Sequence, residues 1–121
     1  MPQSVPEEQR QDIEGLYAAF NQQDIDAVLE RVAPDVVWAN GMEGGHVFGS
    51  DALRAYWARQ FGQLRSTVEP KEMTVETGGR IRVVVHQIVR SLDGQVLTDR
   101  EVMHLFTFDG DTITQFDIDN R

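Results

Sequence analysis

Residues 80–118 read RIRVVVHQIVRSLDGQVLTDREVMHLFTFDGDTITQFDI. Three apolar-rich runs, Arg80–Leu92, Val96–Phe108 and Thr112–Ile118, are divided by Asp93-Gly94 and Asp109-Gly110. Such pairs tolerate the left-handed backbone that tight hairpin turns demand. Working outward, Thr67–Thr77 forms a fourth run, set off by Gly78-Gly79. Four β-rich runs joined by tight turns predict an antiparallel meander. Pro70 lacks the N–H a ladder needs, so the first run is an edge strand or carries a bulge there.

Side chains alternate between the faces of a sheet. Reading the two central runs in phase puts Val84, His86, Ile88 and Arg90 on one face with Val102, His104, Phe106 and Phe108. The other face then carries Val83, Val85, Gln87, Val89, Met103, Leu105 and Thr107, which is too apolar to be left in water. The first face is assigned to the interior. The second is expected to be buried against another copy of the chain, which predicts a homodimer through the outer face of the sheet.

Upstream, the apolar spacing turns helical. Ser4, Val5, Pro6 and Glu7 read as a capping-box start for a helix to about Asn21, with Ile13, Leu16, Tyr17 and Phe20 on one side. Asp24 is a good N-cap for a shorter helix with the stripe Ile25, Val28, Leu29 and Val32, ending before Pro34. Val36–Trp38 reads as a short strand with Asn40 at its end. Gly41, Gly44, Gly45 and Gly49 then spell a loop able to act as a lid. Ser50 and Asp51 start a third helix presenting Leu53, Tyr56, Trp57 and Phe61. The expected class is α+β: a cone-shaped roll of three N-terminal helices packed on a curved antiparallel sheet.

The 121 residues and their 40% hydrophobic content suit one domain spanning 1–121. There is no cysteine, which excludes disulfides, thiol nucleophiles and cysteine metal sites. Met1–Arg10 lacks the apolar stretch of a signal peptide, and no run reaches membrane length, so the expected location is cytoplasmic. A net charge of -9 repels phosphate backbones and anionic lipids, arguing against nucleic-acid and membrane partners. No stretch combines glycines with lysine as a phosphate cradle, and no nucleophile motif is present.

The order of helices, loop and strands, with NQQDIDAVLERVAPDVVWAN (21–40), HVFGSDALRAYWARQF (46–61) and FTFDGDTIT (106–114), resembles the nuclear transport factor 2-like superfamily. Within it, the chain looks like the SnoaL-like and ketosteroid isomerase-like branch. Such a resemblance specifies fold far better than chemistry. It implies a pocket in the cone interior that takes a small hydrophobic molecule. Carried over residue by residue, the isomerase base falls on Asn40, which accepts no proton at neutral pH. The oxyanion tyrosine falls on Leu16, with Tyr17 one step away, and the oxyanion acid falls on His104. A standard ketosteroid isomerase is thereby disfavoured. The nearest counterparts of the cyclase aspartate are Asp117 and Asp119, both outward in this phase, with Ile118 inward. A bulge before Thr112 would reverse that direction. The arginine and aspartate set of epoxide hydrolases finds no match.

His104, between Val102 and Phe106, is the leading candidate for an acid or base. His86 is placed beside it on the neighbouring strand. Either histidine also reads as a core residue satisfied by a neighbour, a reading that fits His86 better than His104. His46 and Glu43 suggest no metal motif by spacing, so neither a metal site nor a cofactor is expected. Asn40 and, more weakly, Asp117 complete the catalytic candidates. Tyr17, Phe20, Trp38, Trp57, His86, Ile88, Val102, Phe106, Phe116 and Ile118 are the expected ligand-binding set. Arg90 reads as a carboxylate clamp or a solvated side chain, and Asp99-Arg100-Glu101 as a charged strand edge. Three functions fit: an isomerase, cyclase or hydrolase acting on a hydrophobic carbonyl compound, a binding module without turnover, and a dimeric assembly domain.

Overall fold

The computed structural model describes residues 5–41 and 44–119. The chain runs α1 (Glu7–Asn21), α2 (Ile25–Leu29), β1 (Val32–Ala39), β2 (His46–Phe48), α3 (Ser50–Phe61), β3 (Leu64–Val75), β4 (Ile81–Ser91), β5 (Val96–Asp109) and β6 (Thr112–Asp119). Three helices lie on one face of a curved six-stranded sheet ordered β2-β1-β6-β5-β4-β3. Ile13, Leu16, Val28, Leu53 and Trp57 from the helices meet Ile81, Val83, Val85, Phe106 and Ile113 from the sheet in the core.

Asp24 caps α2 as its residue type predicts, its carboxylate accepting from the Ala27 N–H at 3.2 Å. The cap expected of Ser4 lies outside the described residues, and Pro6 occupies the N-cap of α1 without a side-chain bond. The second helix is shorter than its stripe suggests. Val32 opens β1 instead, and Pro34 sits inside that strand, where the pairing with β6 is irregular between Val32 and Val37.

The sheet is mixed rather than wholly antiparallel, because β1 pairs with β6 in parallel while β6, β5, β4 and β3 form the expected meander. Within the glycine loop lies a strand not expected from its composition. His46–Phe48 folds back on β1 and pairs Phe48 with Val37. Pro70 satisfies both of its expectations, since β3 is the edge strand and its register shifts between Pro70 and Glu72.

A single bulge corrects the face assignment. Next to the turn, Arg90 pairs with Val96, so even-numbered residues face alike on both strands. Leu97 is then inserted, and from Val89↔Thr98 onward the partners change parity: Val85↔Val102, Val83↔His104 and Ile81↔Phe106. One extra residue moves every following side chain to the opposite face. The interior face therefore carries Ile81, Val83, Val85, Gln87 and Val89 with Val102, His104 and Phe106. His86, Ile88 and Arg90 point outward. On β6 the register also shifts, between Phe108↔Ile113 and Thr107↔Gln115, and beyond it the pairing His104↔Ile118 leaves Ile118 inward and Asp117 outward.

The end of α1 is fixed to the open edge of β3. The Asn21 amide donates to the Val68 carbonyl and accepts from the Val68 N–H, both at 2.8 Å. These are backbone groups that an edge strand would otherwise leave unpaired. The clamp sits one helical turn past Tyr17 and holds that ring over the sheet.

Candidate functional site

Between the helices and the inner face of the sheet lies a cavity of about 640 Å³. Its deep wall is aromatic. Trp38 and Phe116, neighbours on β1 and β6, stack with centroids 4.1 Å apart, and Trp57 of α3 packs edge-on to Trp38 at 5.0 Å. Phe20 of α1 packs edge-on to Trp57 at 6.3 Å. These rings present apolar surface to the cavity and leave little for water to bind.

Into this wall are set two polar side chains that touch each other. Tyr17 Oη of α1 lies 2.7 Å from Nδ1 of His104 on β5. Both residues are buried, at 3% and 6% exposure. The imidazole also packs edge-on against Phe116 at 4.7 Å. Burial pulls the His104 imidazole down to a pKa of about 3 and pushes the Tyr17 phenol well above its ordinary value. Both are neutral at pH 7. If the phenol donates to Nδ1, the ring keeps its proton on Nε2; if Nδ1–H donates, the phenol O–H is left over. Either way the pair retains one neutral donor that no described residue engages.

The sequence-derived candidates separate cleanly. Tyr17, Phe20, Trp38, Asn40, Trp57, Val102, His104, Phe116 and Ile118 all line the cavity. Asn40 stands at the mouth, where its backbone closes the loop to Gly44 and Gly45. Asp117 borders the rim from the outward side, and its carboxylate is held by His46 Nε2 at 2.9 Å and Gln115 Nε2 at 2.7 Å. Phe106 is fully buried behind the wall, packed on Phe116 and Tyr17. His86 and Ile88 are displaced to the opposite face by the bulge at Leu97, and His86 Nε2 contacts Asp99 Oδ1 at 2.6 Å. His46, His86 and His104 thus occupy the rim, the outer face and the interior. Glu43 lies outside the described residues.

A polar strip on the opposite wall escaped the sequence reading. Ser66 of β3, Gln87 of β4, and Thr98 and Arg100 of β5 line the cavity together with Gln60 of α3. Gln87 Nε2 donates to Ser66 Oγ at 3.3 Å, and Gln87 pairs in register with Arg100. The signal for Ser66, Gln87, Thr98 and Arg100 was their alternation, legible only once the bulge is known. The expectation of a charged strand edge at residues 99–101 is thereby corrected. Arg100 faces the cavity while Asp99 and Glu101 face away, and Arg90, not Arg100, is the outward cation.

Known structures of this shape are numerous. An NTF2-like protein of unknown function from Burkholderia pseudomallei superposes with a TM-score of 0.80 at 26% identity, over 94% of this chain and 91% of that one. TerC, co-crystallised with polyporic acid, matches at TM-score 0.80 and 26% identity over 94% and 92%. A Mycobacterium tuberculosis protein in complex with estradiol-17beta-hemisuccinate shares the fold at TM-score 0.79 and 15% identity, over 94% of each chain. Among curated proteins no sequence matches significantly. The SnoaL-like domain pattern matches residues 13–116, from within α1 through α3 and the sheet as far as Phe116 on β6. With that match over most of its length, the chain belongs to the SnoaL-like domain family.

Proposed function

We propose that this chain is a single cone-shaped domain that binds a small, largely apolar carbonyl compound in its interior, with the spare donor of the Tyr17–His104 pair on the carbonyl oxygen. The observation that carries this reading is the buried 2.7 Å hydrogen bond opening onto an aromatic-walled cavity. A neutral donor in a dry site gains strength as negative charge grows on the oxygen it faces, so the same contact would stabilise an enolate. At a pKa of about 3, His104 acts at neutral pH as a donor through its neutral ring rather than as an imidazolium acid. Asn40 contributes amide donors that orient the ligand at the mouth. The ligands held by TerC and by the mycobacterial protein, polyporic acid and estradiol-17beta-hemisuccinate, support a small-molecule occupant.

Binding without turnover is the second reading, and one observation favours it. Asp117 is the only carboxylate bordering the cavity among the described residues, and it is turned outward and engaged by His46 and Gln115. A reaction needing an interior carboxylate base has none there. Under either reading the domain works in the cytoplasm, away from nucleic acid and membranes, consistent with its charge of -9; no helix among the described residues is long and apolar enough to cross a bilayer. It pairs with a second copy through the outer sheet face, where Phe48 is 70% exposed beside Val37, and Val84 and Met103 are half-buried.

The test is a tryptophan-fluorescence titration with acetylnaphthalene, since Trp38 and Trp57 both face the cavity. Saturable quenching, weakened in Tyr17→Phe and His104→Leu, supports the site. Quenching that ignores both substitutions would place the ligand elsewhere. Deuterium exchange at the ligand's methyl group, followed by mass, then separates turnover from binding alone.

A further inference from the structure

Resting on that reading, we infer that the ligand carries an acidic group, a carboxylate or an ionised enol, that docks on Arg100 at the mouth while its ring system lies against Trp38 and Phe116. The cavity is divided chemically. Aromatic rings from α1, α3, β1 and β6 form one wall, whereas Ser66, Gln87, Thr98 and Arg100 form a polar strip on β3, β4 and β5. An apolar ligand alone leaves that strip without a partner, and desolvating unpaired polar groups weakens binding.

Arg100 is the only lysine or arginine among the described lining residues. Its sequence neighbours do not neutralise it. Asp99 and Glu101 project from the opposite face of β5, and Asp99 is taken by His86 at 2.6 Å. No ion pair engages Arg100 among the described residues. Asp117, the lining carboxylate, contacts His46 across the rim instead. A guanidinium turned toward a cavity in a chain of net charge -9 is therefore available for an anion brought by the ligand.

Position favours the same assignment. Arg100 is exposed and Thr98 half-buried while both line the cavity, which places them at its mouth rather than its dry end. An ionised group held there stays in contact with water and avoids the burial cost that the dry Tyr17–His104 end would impose. Gln87, beside Arg100 on β4 and tied to Ser66, supplies a second polar partner for a two-oxygen group. The ligand spans both ends: carbonyl at His104, anion at Arg100.

The experiment compares an acetyl-substituted naphthoate with its methyl ester, which share the ring and the acetyl carbonyl and differ in charge, by fluorescence titration of the intact protein. The inference expects naphthoate to bind the native protein about tenfold more tightly than the ester, a preference that Arg100→Gln abolishes and Arg100→Lys partly restores. The affinity for the ester should be unmoved by Arg100→Gln, and the naphthoate preference should shrink with added salt. Equal binding of both probes, or a preference that survives Arg100→Gln, overturns the anion inference and leaves the cavity reading standing. Failure of both probes to bind the native protein overturns the cavity reading and this inference with it.

Discussion

Acidification from pH 7 to pH 5 should selectively weaken the fold through His104. Its imidazole has a pKa of about 3 in the folded chain, whereas an unfolded histidine titrates near its ordinary 6.5. Between those values the unfolded chain binds the extra proton, so stability is complete above about pH 6.5 and falls as pH drops toward 3. At pH 5 the unfolded imidazole is almost fully protonated and the buried one is not, a loss of about 2 kcal/mol relative to pH 7. Urea unfolding at both pH values would measure it, with His104→Leu as the reference that removes this proton while keeping an apolar filling. Every other ionisable group is common to both proteins, so the difference between their pH losses isolates His104. A difference below about 0.5 kcal/mol would refute the claim that His104 is held neutral by burial.

Further outcomes follow from individual contacts. Tyr17→Phe keeps the ring but strips the partner of Nδ1, and should cost about 1 kcal/mol of stability in thermal or urea unfolding while weakening acetylnaphthalene binding. Asn21→Ala frees the Val68 backbone at the edge of β3 and should cost about 1–3 kcal/mol, with faster hydrogen exchange at the Val68 amide. Phe116→Ala removes the ring stacked on Trp38 and should cost about 3–5 kcal/mol, less if an aromatic ligand fills the space. Phe48→Glu places a charge on the outer face and should shift sedimentation from dimer toward monomer without lowering unfolding stability of the isolated chain.

Much of the fold was legible because its punctuation is local. Asp24 caps its helix through its own carboxylate, and the glycines at the three hairpin turns sit at positive φ, as Gly78, Gly79, Gly94 and Gly110 show. Pairing between distant strands was not legible. The parallel addition of β1 to β6, and the return of His46–Phe48 onto β1, depend on contacts that no local pattern announces. The face error had a different source. Alternation holds along β4, but its phase against β5 hangs on one inserted residue, Leu97, which carries no special turn chemistry. That single residue hid Gln87 and Arg100 from the interior and placed His86 and Ile88 there wrongly. The β5–β6 pairing also shifts, between Phe108↔Ile113 and Thr107↔Gln115, but beyond that shift Ile118 faces inward and Asp117 outward as expected.

The site was legible where it is apolar and illegible where it is relational. Trp38, Trp57 and Phe20 announce a pocket by size and spacing. The importance of Tyr17 does not follow from its position one step from Leu16, because only the tertiary placement of α1, fixed by Asn21 on the β3 edge, brings the phenol to His104. Likewise, a pKa lowered by burial follows from a histidine between Val102 and Phe106, but the Tyr17 phenol at its Nδ1 is a tertiary contact that no local pattern announces.

The central claim is that a carbonyl oxygen rests on the Tyr17–His104 pair, and nuclear magnetic resonance of acetylnaphthalene labelled at its carbonyl carbon tests it directly. A donor on the oxygen polarises the carbonyl, so the bound resonance should move downfield from its position in apolar solvent, and should return toward that position in His104→Leu and Tyr17→Phe proteins that still bind the ring. A bound resonance that matches the apolar solvent value in the native protein, or that is unchanged by both substitutions, would contradict the account.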